Sequence, residues 1–331
     1  MKYKDVRKEK YMNRKIVGML SGYPGVNRSD WMWLQTPNFF GTWGNIQMLA
    51  NAEKPDFLLL YNYAGIKTVV RKKYLFFKPE LQHIYYPEKE MQRLLREVPK
   101  EKIIFLWREP PLQEVMETNL RCYQWAESYC GYISAPDDAA PNPDYMPAIW
   151  YHSNSFRELN EMPLPEKIRT CSWITSGISR TANHRQRLEF LWLLQSSQFD
   201  FDLYGRDLPE WARSNGQIGN KWYGMGPYYY NLAIENYVDN DWYVSEKLWD
   251  ALLAWCLPIY YGGPAADKLL PPGSFLRIPS LDENGFKFIQ EVTATPDAWY
   301  AAKNAIAEAR QIILHKLNLL EWTSNFVKNF L

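Results

Sequence analysis

The stretch YYYNLAIENYVDNDWYVSEKLWDALLAWCLPIYYGGPAADKLLPPGSFLRI, from Tyr228 to Ile278, decides the fold class. Its β-rich start, Tyr228–Glu235, predicts a strand, and Pro258–Tyr261 predicts a second strand that ends at Gly262-Gly263. Between them lies a helix, predicted over Ser245–Trp255. Its apolar residues recur at i, i+3, i+4 and i+7, which gives one face to pack on a sheet: Leu248, Ala251, Leu252 and Trp255. A strand, a helix and a second strand in this order indicate a parallel α/β sheet.

The start of this helix is also a candidate anion site. Ser245 is a good N-cap, because its hydroxyl can accept a hydrogen bond from a first-turn N–H. The remaining free N–H groups and the positive end of the helix dipole favour a negatively charged ligand. Lys247 in the first turn opposes the dipole preference for anions, which a contact with a phosphate would explain. A solvated surface lysine is the alternative.

Strand and helix patterns alternate over the rest of the chain as well. Further strands are predicted at 15–20, 56–61, 102–107, 129–134, 169–175 and 199–204, the last ended by Gly205. Further helices are predicted at 88–98, 119–127, 181–196 and 301–331. This order favours two doubly wound α/β domains that face a central cleft at the carboxyl ends of their strands. A single large sheet is the alternative.

A Pro- and charge-rich stretch, Glu158–Thr170, is interpreted as the linker between the two domains. The prediction is therefore an N-terminal domain over 1–160, a C-terminal domain over 161–300, and a helical segment over 301–331. We expect this last segment to pack back on the N-terminal domain.

Composition limits the classes of function. The 331 residues include 47% hydrophobic and 23% charged ones, as in a globular protein. A formal net charge of +1 gives no overall field to attract nucleic acid or an anionic membrane. An anionic ligand must therefore be held by a local site. The aromatic content of 16% suits sugar rings and nucleobases, although a Trp-rich core would also explain it.

The expected location is cytoplasmic, with peripheral contact to the inner membrane face left open. The four cysteines form no CxxC pair and have no metal-ligand spacing with the histidines. The charged start, MKYKDVRKEKYMNRK, is followed by only a short apolar run, so we expect no signal peptide and no integral membrane segment.

The deciding stretch resembles the signature region of glycosyltransferase family 10, the α-1,3/1,4-fucosyltransferases. The matching pieces stand in the family's order: Ile234-Glu235-Asn236, Tyr243-Val244-Ser245-Glu246-Lys247, Pro258–Pro264 and Leu270–Ile278. The segment CSWITSGISRTANHRQRLEFLWLLQSSQFDFDLYGRD, upstream, resembles the first strand and helix of the family's donor domain. The loop from Asn236 to Glu246 is one residue longer than the family's common spacing.

The resemblance implies a GT-B-like fold and an inverting transfer of fucose from GDP-fucose to a saccharide hydroxyl. It assigns Lys247 to the donor's diphosphate and Glu246 to the ribose hydroxyls, with Tyr243 and Asn236 lining the donor pocket. Arg187 would hold the diphosphate bidentately, and Arg185 competes for that role. For Glu246, favourable placement at a helix start is a sufficient structural alternative.

Glu109 is the candidate general base. It follows the predicted strand KIIFLW and precedes Pro110-Pro111, so the carboxylate is expected at the strand end that faces the cleft. An inverting displacement needs such a base to take the acceptor hydroxyl's proton. A surface glutamate beside Arg108 is the alternative.

No metal or other cofactor is expected. Asp200 and Asp202 form a D-x-D pair, but both carboxylates fall on one face of a predicted strand, where solvent or linker contacts are the expected partners. The resemblance implies a metal-independent enzyme. Of the four histidines, only His184, beside the arginines, is close to the candidate site.

Two other functions compete with fucosyl transfer. One is transfer of another nucleotide sugar by the same fold, since diphosphate and ribose contacts are shared among donors. The other is a non-catalytic carbohydrate-binding protein derived from such a fold. For the acceptor, the candidate stacking residues are Trp31, Trp33, Trp43 and Tyr63, each of which could equally belong to the core.

Overall fold

A computed structural model describes residues 14–23, 29–37, 41–71 and 80–330 of the chain. Within these ranges, the side chains of 29–31, 66–71 and 80–84 are not described. Residues 1–13, which carry the charged start of the sequence, lie outside the described part. The side chain of the candidate stacking residue Trp31 does as well.

The first half of the described chain forms a seven-stranded sheet. Its strands are β1 (Lys15–Ser21), β2 (Thr42–Trp43), β3 (Ile46–Met48), β4 (Phe57–Tyr61), β7 (Ile103–Leu106), β8 (Tyr132–Ala135) and β9 (Asn142–Pro143). They lie in the order β2-β3-β1-β4-β7-β8-β9, parallel except for the β2–β3 pair. The strands β5 (Ile66–Arg71) and β6 (Glu80–Tyr85) form a separate antiparallel pair.

The second half forms a five-stranded sheet whose neighbouring strands are all parallel. Its strands are β10 (Arg169–Ser176), β11 (Asp202–Arg206), β12 (Tyr228–Ile234), β13 (Leu257–Tyr261) and β14 (Leu276–Arg277), in the order β11-β10-β12-β13-β14. Two sheets with separate cores confirm the predicted α/β class and exclude the single large sheet.

Helices connect the strands and cover the sheets. In the described chain these are α1 (Ser29–Leu34), α2 (Glu88–Leu94), α3 (Met116–Tyr129), α4 (Phe156–Glu161), α5 (Ala182–Ser196), α6 (Glu246–Leu253), α7 (Ala265–Leu269), α8 (Glu283–Thr293), α9 (Asp297–Ile312) and α10 (Leu319–Lys328). Helix α6 confirms the predicted helix as far as Leu253, because Leu248, Ala251 and Leu252 are fully buried. It ends before the fourth predicted face residue, Trp255, whose φ is +62°.

The interpreted linker and the strand before Gly205 have wrong predicted boundaries. The interpreted linker Glu158–Thr170 begins inside α4, whose start is stabilised by a capping box between Ser155 and Glu158. The strand predicted at 199–204 lies instead at Asp202–Arg206 and runs through Gly205. A Cβ at Gly205 would lie 2.0 Å from the carbonyl oxygen of Thr175, so only glycine fits there.

The predicted final helix over 301–331 is two helices with a break between them. Helix α9 continues into a π-helical turn, Ile313–Leu317, and Asn318 then caps α10 with its side chain. At this break the chain runs beside Ala148, whose N–H donates to the carbonyl oxygen of Leu317 at 2.7 Å. Residues of α9 belong to the core of the second sheet, whereas α10 packs into the core of the first sheet.

Each sheet has a point where consecutive connections leave in opposite directions. In the first sheet this point lies between β1 and β4, and in the second between β10 and β12. In parallel α/β sheets, ligands bind outside the carboxyl ends of the strands at such points. The topology therefore predicts a site where the carboxyl ends of these four strands face each other.

Candidate active site

A cleft of about 570 Å³ lies at this position. The carboxyl ends of β10, β11 and β12 contribute Ile174–Ser176, Gly205-Arg206 and Asn236, and the start of α6 contributes Glu246 and Lys247. The remaining lining residues are Tyr23, Tyr151, Arg187, Gln217, Ile218, Gly219 and Lys221. Four cationic side chains and one carboxylate thus line the cleft, which favours an anionic ligand.

The start of α6 is organised by the buried carboxylate of Glu235. This carboxylate accepts hydrogen bonds from the backbone N–H of Ser245 at 2.8 Å and from its hydroxyl at 2.7 Å. The ammonium group of Lys247 lies 3.1 Å from the same carboxylate. Because the Glu235 side chain is fully buried and that of Lys247 is 20% exposed, the pair holds the lysine at the wall of the cleft. Sequence reasoning identified Lys247 and missed Glu235 as its partner.

Glu246 is the carboxylate that lines the cleft. Burial alone would raise its pKa, but the positive charges of Lys247, Lys221 and Arg108 lower it to about 2. The side chain is therefore ionised at neutral pH and can accept hydrogen bonds from ligand hydroxyl groups. With 27% of its side chain exposed, it remains accessible from the cleft.

The guanidinium group of Arg187 has no carboxylate partner among the described residues. Its Nη1 donates to the side-chain oxygen of Asn236 at 2.7 Å, and its Nη2 donates to the carbonyl oxygens of Ser176 at 2.8 Å and Ile178 at 3.3 Å. Its buried Nε has no partner among the described residues. Burial lowers the pKa of Arg187 to about 10, so it remains a cation at neutral pH.

Two of the predicted donor-site residues do not line the cleft. Arg185 is exposed two positions before Arg187 on α5, with its Nη1 3.4 Å from the carbonyl oxygen of Ser179. It belongs instead to a separate shallow cavity beside Trp192 and Trp211. Tyr243 is 6% exposed and packs its ring edge against Tyr237. The structure thus places Arg187, and not Arg185, at the cleft.

Lys221 is a cleft residue that sequence reasoning missed. Its ammonium group lies 2.7 Å from the buried carboxylate of Asp250 and 3.9 Å from that of Glu246. Burial alone would lower its pKa, but Asp250 and Glu246 raise it above the ordinary lysine value. The ammonium also lies 5.4 Å from the ring centre of Tyr151. Lys221 begins a 3₁₀ helix of four residues, Lys221–Gly224, which is too short to show a periodic pattern in the sequence.

Arg206 is the second missed cation. It ends β11 and is exposed at the edge of the cleft. No hydrogen bond or ion pair joins its guanidinium group to another described residue. It is therefore available to an anion or to a hydrogen-bond acceptor of a ligand.

Glu109 lies across the cleft, where β1, β4 and β7 end. Its Oε1 accepts hydrogen bonds from the Tyr23 hydroxyl at 2.8 Å and from Asn62 Nδ2 at 2.8 Å. Asn62 Nδ2 also donates to the Tyr23 hydroxyl at 2.7 Å. The predicted base is thus held by two residues that sequence reasoning missed. Tyr23 lines the cleft, whereas Glu109 does not.

Hydrogen bonds join the two halves of the chain in segments that lead to cleft residues. In the loop that leads from Asn236 to α6, Asn240 Nδ2 donates to the carbonyl oxygen of Pro136 at 2.8 Å, and the indole N–H of Trp242 donates to Asp138 at 2.6 Å. The first N–H of α5, that of Ala182, donates to the carboxylate of Glu114 at 2.8 Å. The loop from Asn236 to Glu246, one residue longer than the family's common spacing, is therefore hydrogen-bonded to the first half of the chain.

Asp202, the second residue of the D-x-D pair, has protein partners. The carboxylate of Asp202 accepts from Arg169, Tyr228 and Asn215, each at 2.7 Å. Within the described ranges, no three His, Cys, Asp or Glu side chains come together as metal ligands would. None of the described helices combines the length and hydropathy that a bilayer crossing requires.

The candidate stacking residues have structural contacts. The indole N–H of Trp43 donates to Glu321 of α10 at 2.7 Å, and that of Trp33 donates to the carbonyl oxygen of Met48 at 3.2 Å. Neither they nor Tyr63 line the cleft. Tyr23 and Tyr151 are the aromatic residues that do.

Two parallel sheets around such a cleft define the GT-B class of glycosyltransferase fold. A solved structure of Anabaena HepE in complex with UDP-glucose is 10% identical, with a TM-score of 0.55, over 96% of this chain and 100% of that chain. An alpha-glucosyltransferase in complex with UDP and a 13-mer DNA is 10% identical, with a TM-score of 0.55, over 90% of this chain and 95% of that chain. These likenesses confirm the predicted fold.

Residues 164–298 match the family Glycosyltransferase family 10 (fucosyltransferase) C-term. GDP-fucose protein O-fucosyltransferase 3 of Gallus gallus is 37% identical over 71 residues, which cover 21% of this chain and 15% of the relative. The 4-galactosyl-N-acetylglucosaminide 3-alpha-L-fucosyltransferase of Homo sapiens is 26% identical over 171 residues, which cover 49% of this chain and 44% of the relative. The chain thus spans less than half the length of these curated relatives.

Proposed function

We propose that the protein transfers fucose from GDP-fucose to a hydroxyl group of a saccharide, with inversion at the anomeric carbon. The observation that carries this proposal is the convergence of Arg187, Asn236, Glu246 and Lys247 on one cleft, opposite the carboxylate of Glu109. The family of residues 164–298 and the fucosyltransferase names of its relatives support the choice of donor.

The second half of the chain, 161–300, holds the donor in this proposal. The diphosphate accepts hydrogen bonds from the guanidinium group of Arg187, whose Nε has no partner among the described residues, and from Lys247. The ionised carboxylate of Glu246 accepts the ribose hydroxyls. The cations of the cleft supply the positive charge that a metal ion would otherwise bring to the leaving diphosphate, so the reaction is expected to need no metal.

The first half, 1–160, presents the acceptor, and the segment 301–331 joins the two halves. In one displacement, the acceptor oxygen forms a bond to the anomeric carbon of fucose. The bond from that carbon to the β-phosphate oxygen breaks, and the electron pair leaves with GDP. The acceptor's proton goes to the base, Glu109. Such a base contributes a factor of roughly 10²–10⁴ to the rate.

A protein hydroxyl is the second candidate acceptor, because one relative is named a GDP-fucose protein O-fucosyltransferase. Transfer from another nucleotide sugar and binding of a carbohydrate without catalysis are the remaining alternatives. All four are separated by incubating the protein with GDP-fucose or UDP-glucose and either lactosamine or a Ser/Thr-containing peptide. The product is identified by its mass.

We expect the fucose mass on the saccharide and only with GDP-fucose. Fucose on the peptide would reassign the acceptor, and a hexose from UDP-glucose would reassign the donor. No product with any pair, together with no binding of GDP, would leave the carbohydrate-binding alternative.

A further inference from the structure

Tyr23 stands between the cleft and the carboxylate of Glu109. It lines the cleft, whereas Glu109 does not, and its hydroxyl oxygen lies 2.8 Å from Glu109 Oε1. An acceptor hydroxyl that enters the cleft therefore meets the phenol before it meets the carboxylate.

The hydrogen-bond directions at this point are fixed by Asn62. Its side-chain oxygen accepts from the backbone N–H of Arg108 at 2.5 Å, so its Nδ2 must be the group that faces Tyr23 and Glu109. Nδ2 donates to the Tyr23 hydroxyl at 2.7 Å and to Glu109 Oε1 at 2.8 Å. The phenol is thus oriented to give its own hydrogen to Glu109.

One acceptor position of the phenol oxygen remains open. A phenol has one hydrogen to donate and can also accept. In Tyr23 the hydrogen is directed to Glu109, and one acceptor contact comes from Asn62. No other described residue bonds to this oxygen, which is on the side chain that lines the cleft.

We propose that the acceptor's proton reaches Glu109 through Tyr23. As the acceptor oxygen bonds to the anomeric carbon, its proton passes to the Tyr23 oxygen, while the phenol's own proton passes to Glu109 Oε1. Tyr23 is neutral before and after the step, and Glu109 ends protonated. The relay rests on the proposed function and changes how its base is reached.

The environment of Tyr23 favours simultaneous transfer of the two protons. Burial, and then the negative charge of Glu109, raise the pKa of Tyr23 far above its ordinary value. A free tyrosinate is therefore costly at this position. The two transfers avoid it when they occur together.

The test uses the full chain with GDP-fucose and a saccharide acceptor. Single-turnover rates are measured for wild type, Tyr23→Phe and Glu109→Gln, and Kd for GDP is measured for each. Tyr223→Phe is the matched control, because Tyr223 is 71% exposed and lies outside the cleft. We expect both site variants to lose about a hundredfold or more in rate with Kd for GDP unchanged, since each breaks the same proton path.

The second measurement is the wild-type rate in mixtures of H₂O and D₂O. Two protons moving together predict a curved dependence on the deuterium fraction, whereas direct transfer to Glu109 predicts a straight line. A straight line would overturn the relay even if Tyr23→Phe were slow, because the tyrosine would then only position the base.

Two further outcomes count against the relay. A Tyr23→Phe rate within about threefold of wild type, with Glu109→Gln inactive, would overturn it and leave Glu109 as a direct base. Absence of transfer by wild type that still binds GDP would instead defeat the proposed function, and the relay with it.

Discussion

The ammonium group of Lys247 lies 3.1 Å from the fully buried carboxylate of Glu235 while its side chain lines the cleft. The sequence suggested either a phosphate contact or a solvated lysine. In the structure, Lys247 both faces the cleft and forms an ion pair with a buried carboxylate. Glu235 holds both Lys247 and the N-cap Ser245, so the start of α6 is ordered before any ligand binds.

Replacing Lys247 by Met is therefore expected to affect stability and binding separately. Leaving the buried carboxylate of Glu235 without its cation should lower the free energy of unfolding by about 1–3 kcal/mol. The loss is limited because Ser245 still donates two hydrogen bonds to this carboxylate. The double variant Lys247→Met/Glu235→Gln should recover part of this loss in urea unfolding and still bind GDP poorly. Recovery of GDP affinity in the double variant would show that Lys247 serves only the fold.

Arg187 and Arg185 provide a matched pair two positions apart on one helix. Arg187→Lys removes the fork that faces the cleft, and we expect GDP to bind about tenfold or more weakly, or ~1.4 kcal/mol. Arg185→Lys removes the same chemistry from an exposed position outside the cleft and should change Kd less than about twofold. Equal effects in calorimetric titration would contradict the placement of Arg187 at the diphosphate.

Arg206 offers a prediction about a residue that the sequence did not single out. Because its guanidinium has no partner among the described residues, Arg206→Ala should leave the urea midpoint unchanged. It should weaken GDP binding by about fivefold, or ~1 kcal/mol, through loss of a contact made only with ligand. A destabilised variant with unchanged GDP affinity would assign Arg206 a structural role instead.

The free energy of unfolding should decrease as the pH is lowered, because of His152. This histidine is 5% exposed, neither ring nitrogen has a hydrogen-bond partner among the described residues, and burial lowers its pKa to about 4. As the pH falls from 6.5 to 4, the unfolded chain takes up a proton that the folded chain does not. The free energy of unfolding should decrease over this window by up to about 3 kcal/mol from this group, and level off below it.

The measurement is urea unfolding between pH 7.5 and 4 for wild type and His152→Gln. The variant should lose the part of this pH dependence that His152 contributes, so its free energy of unfolding should fall less between pH 6.5 and 4 than that of wild type. Identical pH dependence in wild type and His152→Gln would refute the prediction.

The start of α6 could be predicted because its sequence signals are local. Helix α6 follows from the spacing of Leu248, Ala251 and Leu252, and its cap from Ser245 alone. The same kind of signal was present at Ser155 and Glu158, where a capping box marks α4 inside the interpreted linker. The prolines of this stretch, Pro163 and Pro165, follow the end of α4 and do not interrupt it.

The cluster of Tyr23, Asn62 and Glu109 could not be predicted in the same way. Tyr23 and Glu109 are 86 residues apart, and Asn62 and Glu109 are 47 apart. Only the order of strands in the first sheet brings them together, and no periodicity in the sequence encodes that order. Lys221 was missed for a related reason, because its partner Asp250 lies 29 residues away on another element.

Calorimetric titration of wild-type protein with GDP and with UDP shows whether the cleft holds the nucleotide. We predict that GDP binds and that UDP binds more weakly. Lys247→Met/Glu235→Gln should weaken GDP binding, whereas Lys303→Ala, at an exposed lysine of α9, should leave it unchanged. A wild-type protein that binds neither nucleotide would contradict the proposal that this cleft holds the GDP part of a sugar donor.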